Sequence, residues 1–196
     1  MQDNFTTSGK PVSMRTGTAQ KLTLESLSER IPVIPEEAVG FYKQNCMVCF
    51  HQNGHKSGVG LTVSYNSFNS VFEIYWTGDI TEQLLHAYRE TTRSTDFAAC
   101  AIALILVREL TEFTAIEQSC IGTTIDYYLI PQRQESDLIF NHAARLEVSG
   151  ILTESEDNTV EDRIKQKIRR LKPEGDLPDL IAVVEFSKPW SKMVNA

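Results

Sequence analysis

Two acids in the second half of the chain stand where strand geometry could bring them together. Asp126 lies in Thr124-Ile125-Asp126-Tyr127-Tyr128-Leu129, and Glu147 lies in Ala143-Ala144-Arg145-Leu146-Glu147-Val148-Ser149. Carboxylates on adjacent strands project from one sheet face towards a common point. Such a pair suits a hard cation such as Mg²⁺, which takes oxygen ligands, often one or two carboxylates with water and phosphate. A cation so held polarises a phosphoryl oxygen and acidifies an attacking water, the requirement for in-line phosphodiester cleavage. Period-two geometry puts Arg145, Glu147 and Ser149 on one face and makes Arg145 the expected ion-pair partner of Glu147.

These residues need elements to hold them. The apolar run from Phe97 to Val107 predicts a buried helix over about 97–112, capped by Thr95 or Asp96 and preceded by a helix over about 81–92. Strands follow over about 114–120, 124–130 and 145–152, then a basic helix over about 160–171, then an apolar strand over 180–186. Upstream, Met47–Gln52, Asn53-Gly54 and a run ending Leu61–Tyr65 predict a β-hairpin, because Asn-Gly favours a type I′ turn. Val71–Trp76 reads as a third strand. Residues 1–30 are polar and rich in Ser, Thr and Gly, and are expected to be a mostly disordered tail. The expectation is a single α/β domain over 31–196, with N-terminal β-hairpin elements before an αβββαβ core at about 97–187.

That order, with an acid near the start of the second core strand and another in the third, resembles the PD-(D/E)XK superfamily of restriction-endonuclease-like proteins. The resemblance covers roughly half the chain. It implies a restriction-endonuclease-like core with Asp126 as the metal-binding aspartate and Glu147 as the acid of the E-x-K motif. Either Glu109 or Glu117 would match the further acid that some members use. Ser149 stands where the family has its lysine, and no proline precedes Asp126. Lys165, Lys167 or Lys188 would have to supply the missing cation, with Lys165 and Lys167 entered beside the two acids as catalytic candidates. On this resemblance the protein is a Mg²⁺- or Mn²⁺-dependent phosphodiesterase acting on nucleic acid. The other reading is a catalytically silent scaffold that keeps the core and works by binding a partner or a second copy of itself.

Composition narrows the partners. With 41% hydrophobic residues, 23% charged and a net charge of -7 over 196 residues, the chain can bury one core and is poorly suited to indiscriminate nucleic-acid binding. Any such contact should be local, through the basic run of helix 160–172, which includes Arg163, Lys165, Lys167, Arg169, Arg170 and Lys172. Ile164, Ile168 and Leu171 mark its expected buried stripe, with the cations fanning to solvent. No apolar run reaches the ~20 residues of a membrane span, and the four cysteines read as reduced thiols, so a cytoplasmic protein is expected. Cys46, Cys49, His51 and His55 use zinc-ligand residue types, but one residue between Cys49 and His51 is too few for a folded-back site. His142, beside the Glu147 strand, is a candidate general base. Nucleophile-elbow and glycine-rich nucleotide-binding motifs are absent.

Overall fold

The computed structural model describes residues 19–120, 122–134, 142–171 and 176–196. The first 18 residues of the expected tail, and Lys172 of the basic run, lie outside them. Residues 20–30 do not behave as a tail. Gln20–Thr23 form strand β1, a 3-10 turn follows at Leu24–Ser26, and Leu27–Arg30 form helix α1. Leu22, Leu24 and Leu27 are buried, which gives this polar segment the anchors that its composition hid.

The Met47–Gln52 run is the end of a helix, α2, spanning Glu36–Gln52. Pro35 sits extended at its N-cap and Glu36 and Glu37 occupy its first turn, where a carboxylate favours the helix dipole. A short continuous apolar run fits a buried helix turn as well as a buried strand, and here the helix prevails because Cys46 to Phe50 face α4 and the core. Asn53-Gly54 is a helix stop. Gly54 adopts φ +78°, and the N–H groups of Gly54 and His55 donate to His51 O and Phe50 O, a Schellman arrangement that needs a left-handed residue. The hairpin lies one element later, as β2 (Val59–Tyr65) and β3 (Phe68–Tyr75), turning at Asn66 with φ +54°.

Helix α3 covers Glu82–Ala87 and α4 covers Thr91–Leu110. The start of α4 falls before the expected Thr95 or Asp96, because the Glu90 carboxylate accepts from the backbone N–H of Thr92 and Arg93. Asp96 is therefore inside the helix and its side chain is not spent on capping. The order after α4 is as expected: β4 (Phe113–Gln118), β5 (Tyr127–Pro131), β6 (Ala144–Ile151), α5 (Val160–Arg170) and β7 (Asp179–Glu185). An unforeseen strand, β8 (Trp190–Asn195), returns beside β7.

All strands belong to one sheet, ordered β1-β3-β2-β8-β7-β6-β5-β4. Strand β5 runs antiparallel to both its neighbours, β4 and β6, α5 crosses from β6 to its parallel neighbour β7, and β8 joins this half to the β2–β3 hairpin. Alternation along β6 and β7 separates two apolar faces. Leu146, Val148, Leu180, Ala182 and Val184 join the main core with α4, whereas Ile151, Ile181 and Val183 pack with Val160 and Ile164 of α5. The molecule is thus a single α/β sheet sandwiched at its β6–β7 region between α4 and α5. No helix among the described residues is long and apolar enough to cross a membrane.

Candidate functional site

The site forms where β5 stops short of β6. Pairing between them ends at Tyr127 opposite Leu146, and Asp126 continues it in two ways. Its backbone N–H donates to Leu146 O at 2.9 Å, and its Oδ2 accepts from Val148 N–H at 2.7 Å. The carboxylate thus takes the place of the strand that is no longer there and satisfies the next backbone donor of β6. Between those two residues, Glu147 turns towards α5 and accepts from Lys167 Nζ, with the Asp126 carboxylate close enough to act on its charge.

Burial is the largest influence on Glu147, whose side chain is only 12% exposed, and the negative Asp126 beside it adds to the effect. Together they raise the Glu147 carboxyl to about 7, against the opposing pull of Lys167. Beyond the pair a cavity of about 300 Å³ opens, lined by Asp96, Cys100, Asp126, Ser149, Arg163 and Lys167, among others. Asp96 stands at its mouth on α4. Though it reaches solvent, its carboxyl is raised, first by desolvation and also by Asp126, with Lys167 and Arg163 opposing. Burial pushes the Cys100 thiol up to about 12, which makes it a neutral wall.

The approach of α4 depends on Gly150. A Cβ there would lie 2.5 Å from the backbone oxygen of Thr95 and 2.7 Å from its Cγ2, so only glycine lets α4 sit this close to β6 and bring Asp96 to the cavity. On the other side, α5 presents Arg163 and Lys167, four apart and hence on one helix face. Val160 and Ile164 are its buried stripe, while Ile168, expected in that stripe, is 46% exposed.

Of the residues selected from sequence, Asp126, Glu147 and Lys167 come together, and Ser149 lies beside them. The others are elsewhere. Glu109 is more than three turns along α4 from Asp96, roughly 20 Å at the helical rise, where it pairs with Arg30 and Gln20. Glu117 is exposed on the edge strand β4 and contacts His142 Nε2 at 3.0 Å, while that imidazole stacks on Tyr128. Lys165 points to solvent beside Asp162, and Lys188 follows β7 with its backbone N–H donating to Glu185. Arg145 pairs with Asp179 rather than Glu147, its Nε and Nη2 each 2.7 Å from a carboxylate oxygen, because the parallel register sets Asp179 directly opposite. Cys46 and Cys49 lie on α2, directed to Ala98 O and Thr95 Oγ1 of α4, while His55 contacts Ser187 O.

Two residues of the site escaped the sequence reading. Asp96, expected with Thr95 as alternative caps of the buried helix, is released from that role because Glu90 caps α4 earlier. Arg163, expected only as one cation of the basic helix, shares a direction with Lys167 four residues on, and that spacing is the signal in the sequence. Among the described residues no cluster of three or more metal-binding His, Cys, Asp or Glu side chains is assembled. The side chains gathered here are oxygen donors, the Asp126 and Glu147 carboxylates with Asp96 lining the cavity, while the Cys100 thiol is held neutral.

Neither a protein-family model, nor a curated protein, nor a solved structure matches this chain.

Proposed function

We propose that the protein is a Mg²⁺- or Mn²⁺-dependent phosphodiesterase acting on nucleic acid, built on a core that resembles the PD-(D/E)XK nucleases. The observation that carries this reading is that Asp126 and Lys167 line one polar cavity while Glu147, between them, accepts from Lys167 and feels the Asp126 charge. A half-buried pair of acids costs stability through mutual repulsion and desolvation, and such an arrangement is common where function requires it. Asp126 and Glu147 would hold the cation, which supplies charge neutralisation at phosphate and an acidified water. Asp96, lining the same cavity from α4, adds negative charge that would attract the cation. Lys167 supports the role left open by Ser149, since its ammonium already reaches the acid pair from the neighbouring helix. Lys165, facing solvent, is left with at most an outlying contact to the nucleic-acid backbone.

The test is Mn²⁺ titration by calorimetry on the wild type and on Asp126→Asn, with circular dichroism to establish that both are folded. Asparagine keeps an oxygen for Val148 N–H, so the fold should persist while saturable Mn²⁺ binding is lost. Divalent-dependent cleavage of nucleic acid should vanish with it. Equal Mn²⁺ binding by both proteins would sink the assignment.

A second reading is a catalytically silent scaffold that acts through a partner or self-association. It is favoured by one specific observation: Lys167 already neutralises Glu147, so the acids have a structural partner without any metal. Absence of Mn²⁺ binding to the wild type, repeated with a short duplex present, would select it.

A further inference from the structure

The cavity is lined by a cation that the acid pair does not engage. Arg163 projects into it from α5, and its guanidinium is oriented before any ligand arrives, because Nε donates to Asn158 Oδ1 at 2.6 Å. Asn158 is itself fixed in the turn that leads into α5, where it exchanges backbone hydrogen bonds with Ser155. With Nε engaged, the terminal nitrogens face the cavity, and Nη1 makes only a long 3.5 Å contact with Ser149 Oγ. No carboxylate forms an ion pair with Arg163 among the described residues, whereas Lys167, Lys165 and Lys192 each have one. A cation pre-set by a neutral side chain, with no carboxylate at ion-pair distance though Asp96 feels its charge, and beside a buried hydroxyl is arranged to receive an anion. A guanidinium donates in a planar fork that matches two oxygens of one phosphoryl group.

We infer that Arg163 and Ser149 form a phosphoryl-binding subsite, with Asn158 as its positioning residue, which seats a phosphodiester of the nucleic-acid substrate beside the Asp126–Glu147 pair. The identity of the ligand rests on the phosphodiesterase reading; the existence of an anion subsite does not. Ser149, small and hydroxylated, leaves room for the guanidinium and supplies one further donor to the same group. The order of events follows from charge. Asp96, Asp126 and Glu147 oppose an incoming phosphate until a cation offsets them, so the subsite fills after or with the metal.

The test removes that opposition by substitution instead of by metal. In the Asp126→Asn, Glu147→Gln background, which keeps acceptors for Val148 N–H and Lys167, inorganic phosphate is titrated without divalent cation by 31P NMR and thermal shift. Saturable binding is expected. Adding Arg163→Gln should weaken it tenfold or more, Arg163→Lys by less, and Asn158→Ala by a few-fold through loss of orientation. A folded double variant that binds no phosphate, or one in which Arg163→Gln leaves binding unchanged, overturns the subsite. Wild-type Mn²⁺ titration reports separately on the acid pair. Phosphate binding without Mn²⁺ binding removes the phosphodiesterase reading and keeps an anion site, whereas Mn²⁺ binding without the phosphate response removes only the subsite.

Discussion

At the scale of single residues, Glu147 carries the clearest pH signature. Its folded carboxyl titrates near 7, above the usual carboxylate range, so the folded state holds a proton that the unfolded chain has already released. Stability from this group is therefore fully present below about 4.5 and lost as pH rises through about 7, by no more than about 3 kcal/mol. Glu147→Gln should flatten that decline, and urea melts at pH 5 and pH 8 measure it: an unchanged difference between the two pH values would contradict the titration. The same proton competes with a metal. Mn²⁺ affinity should rise with pH up to about 7 and level off above it, with proton release detectable as a buffer-dependent heat below that point. Arg145 behaves differently, as a buried partner of Asp179 that does not line the cavity. Arg145→Ala should destabilise the fold by about 3 kcal/mol, since it leaves Asp179 unpaired in a largely dry setting, and it should leave Mn²⁺ affinity intact once folding is complete.

At the scale of elements, the site depends on how closely α4 and α5 approach β6. Gly150→Ala forces Thr95 and its helix away from the strand, at a cost of about 1–3 kcal/mol for overpacking. Metal affinity should fall with it if Asp96 contributes to binding, and chemical denaturation beside Mn²⁺ titration separates the two effects. The same elements explain what was legible in the sequence. The strands from Phe113 to Glu185 and the basic helix followed from period-two and period-3.6 patterns, and two acids with one lysine of the site came with them. The Met47–Gln52 run misleads because the four buried residues that open it suit a strand or a buried helix equally, and Asn-Gly ends a helix as readily as it turns a hairpin. Arg145 and Asp179 could not be paired from sequence, since their contact depends on the register of two strands that a helix separates. Asp96 required knowing that Glu90 caps α4, a choice between neighbouring capping residues that only the packed helix resolves.

At the scale of the whole molecule, charge shapes how a nucleic acid would be met. A chain of net charge -7 repels phosphate at long range, and the cations of α5 that remain exposed, Lys165, Arg169 and Arg170, are its local exception. Binding of a short duplex should therefore be negligible in EDTA at physiological salt and appear with Mg²⁺. Where it appears, replacing Arg169 and Arg170 together by alanine should lower the slope of log K against log salt by about two, each charge counting for roughly 0.9. An unchanged slope in a fluorescence-anisotropy titration would place the contact away from α5.

Strand β8 has a consequence for how this molecule comes into being. It lies between β2 and β7, so the two halves of the sheet share no strand-to-strand hydrogen bonds until residues 190–195 are in place. During synthesis, both halves wait with an open edge for a segment made after either of them. Closing a loop from Thr62 to Trp190 before that edge is covered makes folding slow and leaves the nascent chain exposed to aggregation. Trp190 belongs to the joining strand while Trp76 stacks on Phe50 in the main core, so the two indoles are natural clocks for assembly and for core formation. Refolding followed on single-tryptophan variants should show one shared slow phase, the signature of a sheet that is completed from its middle.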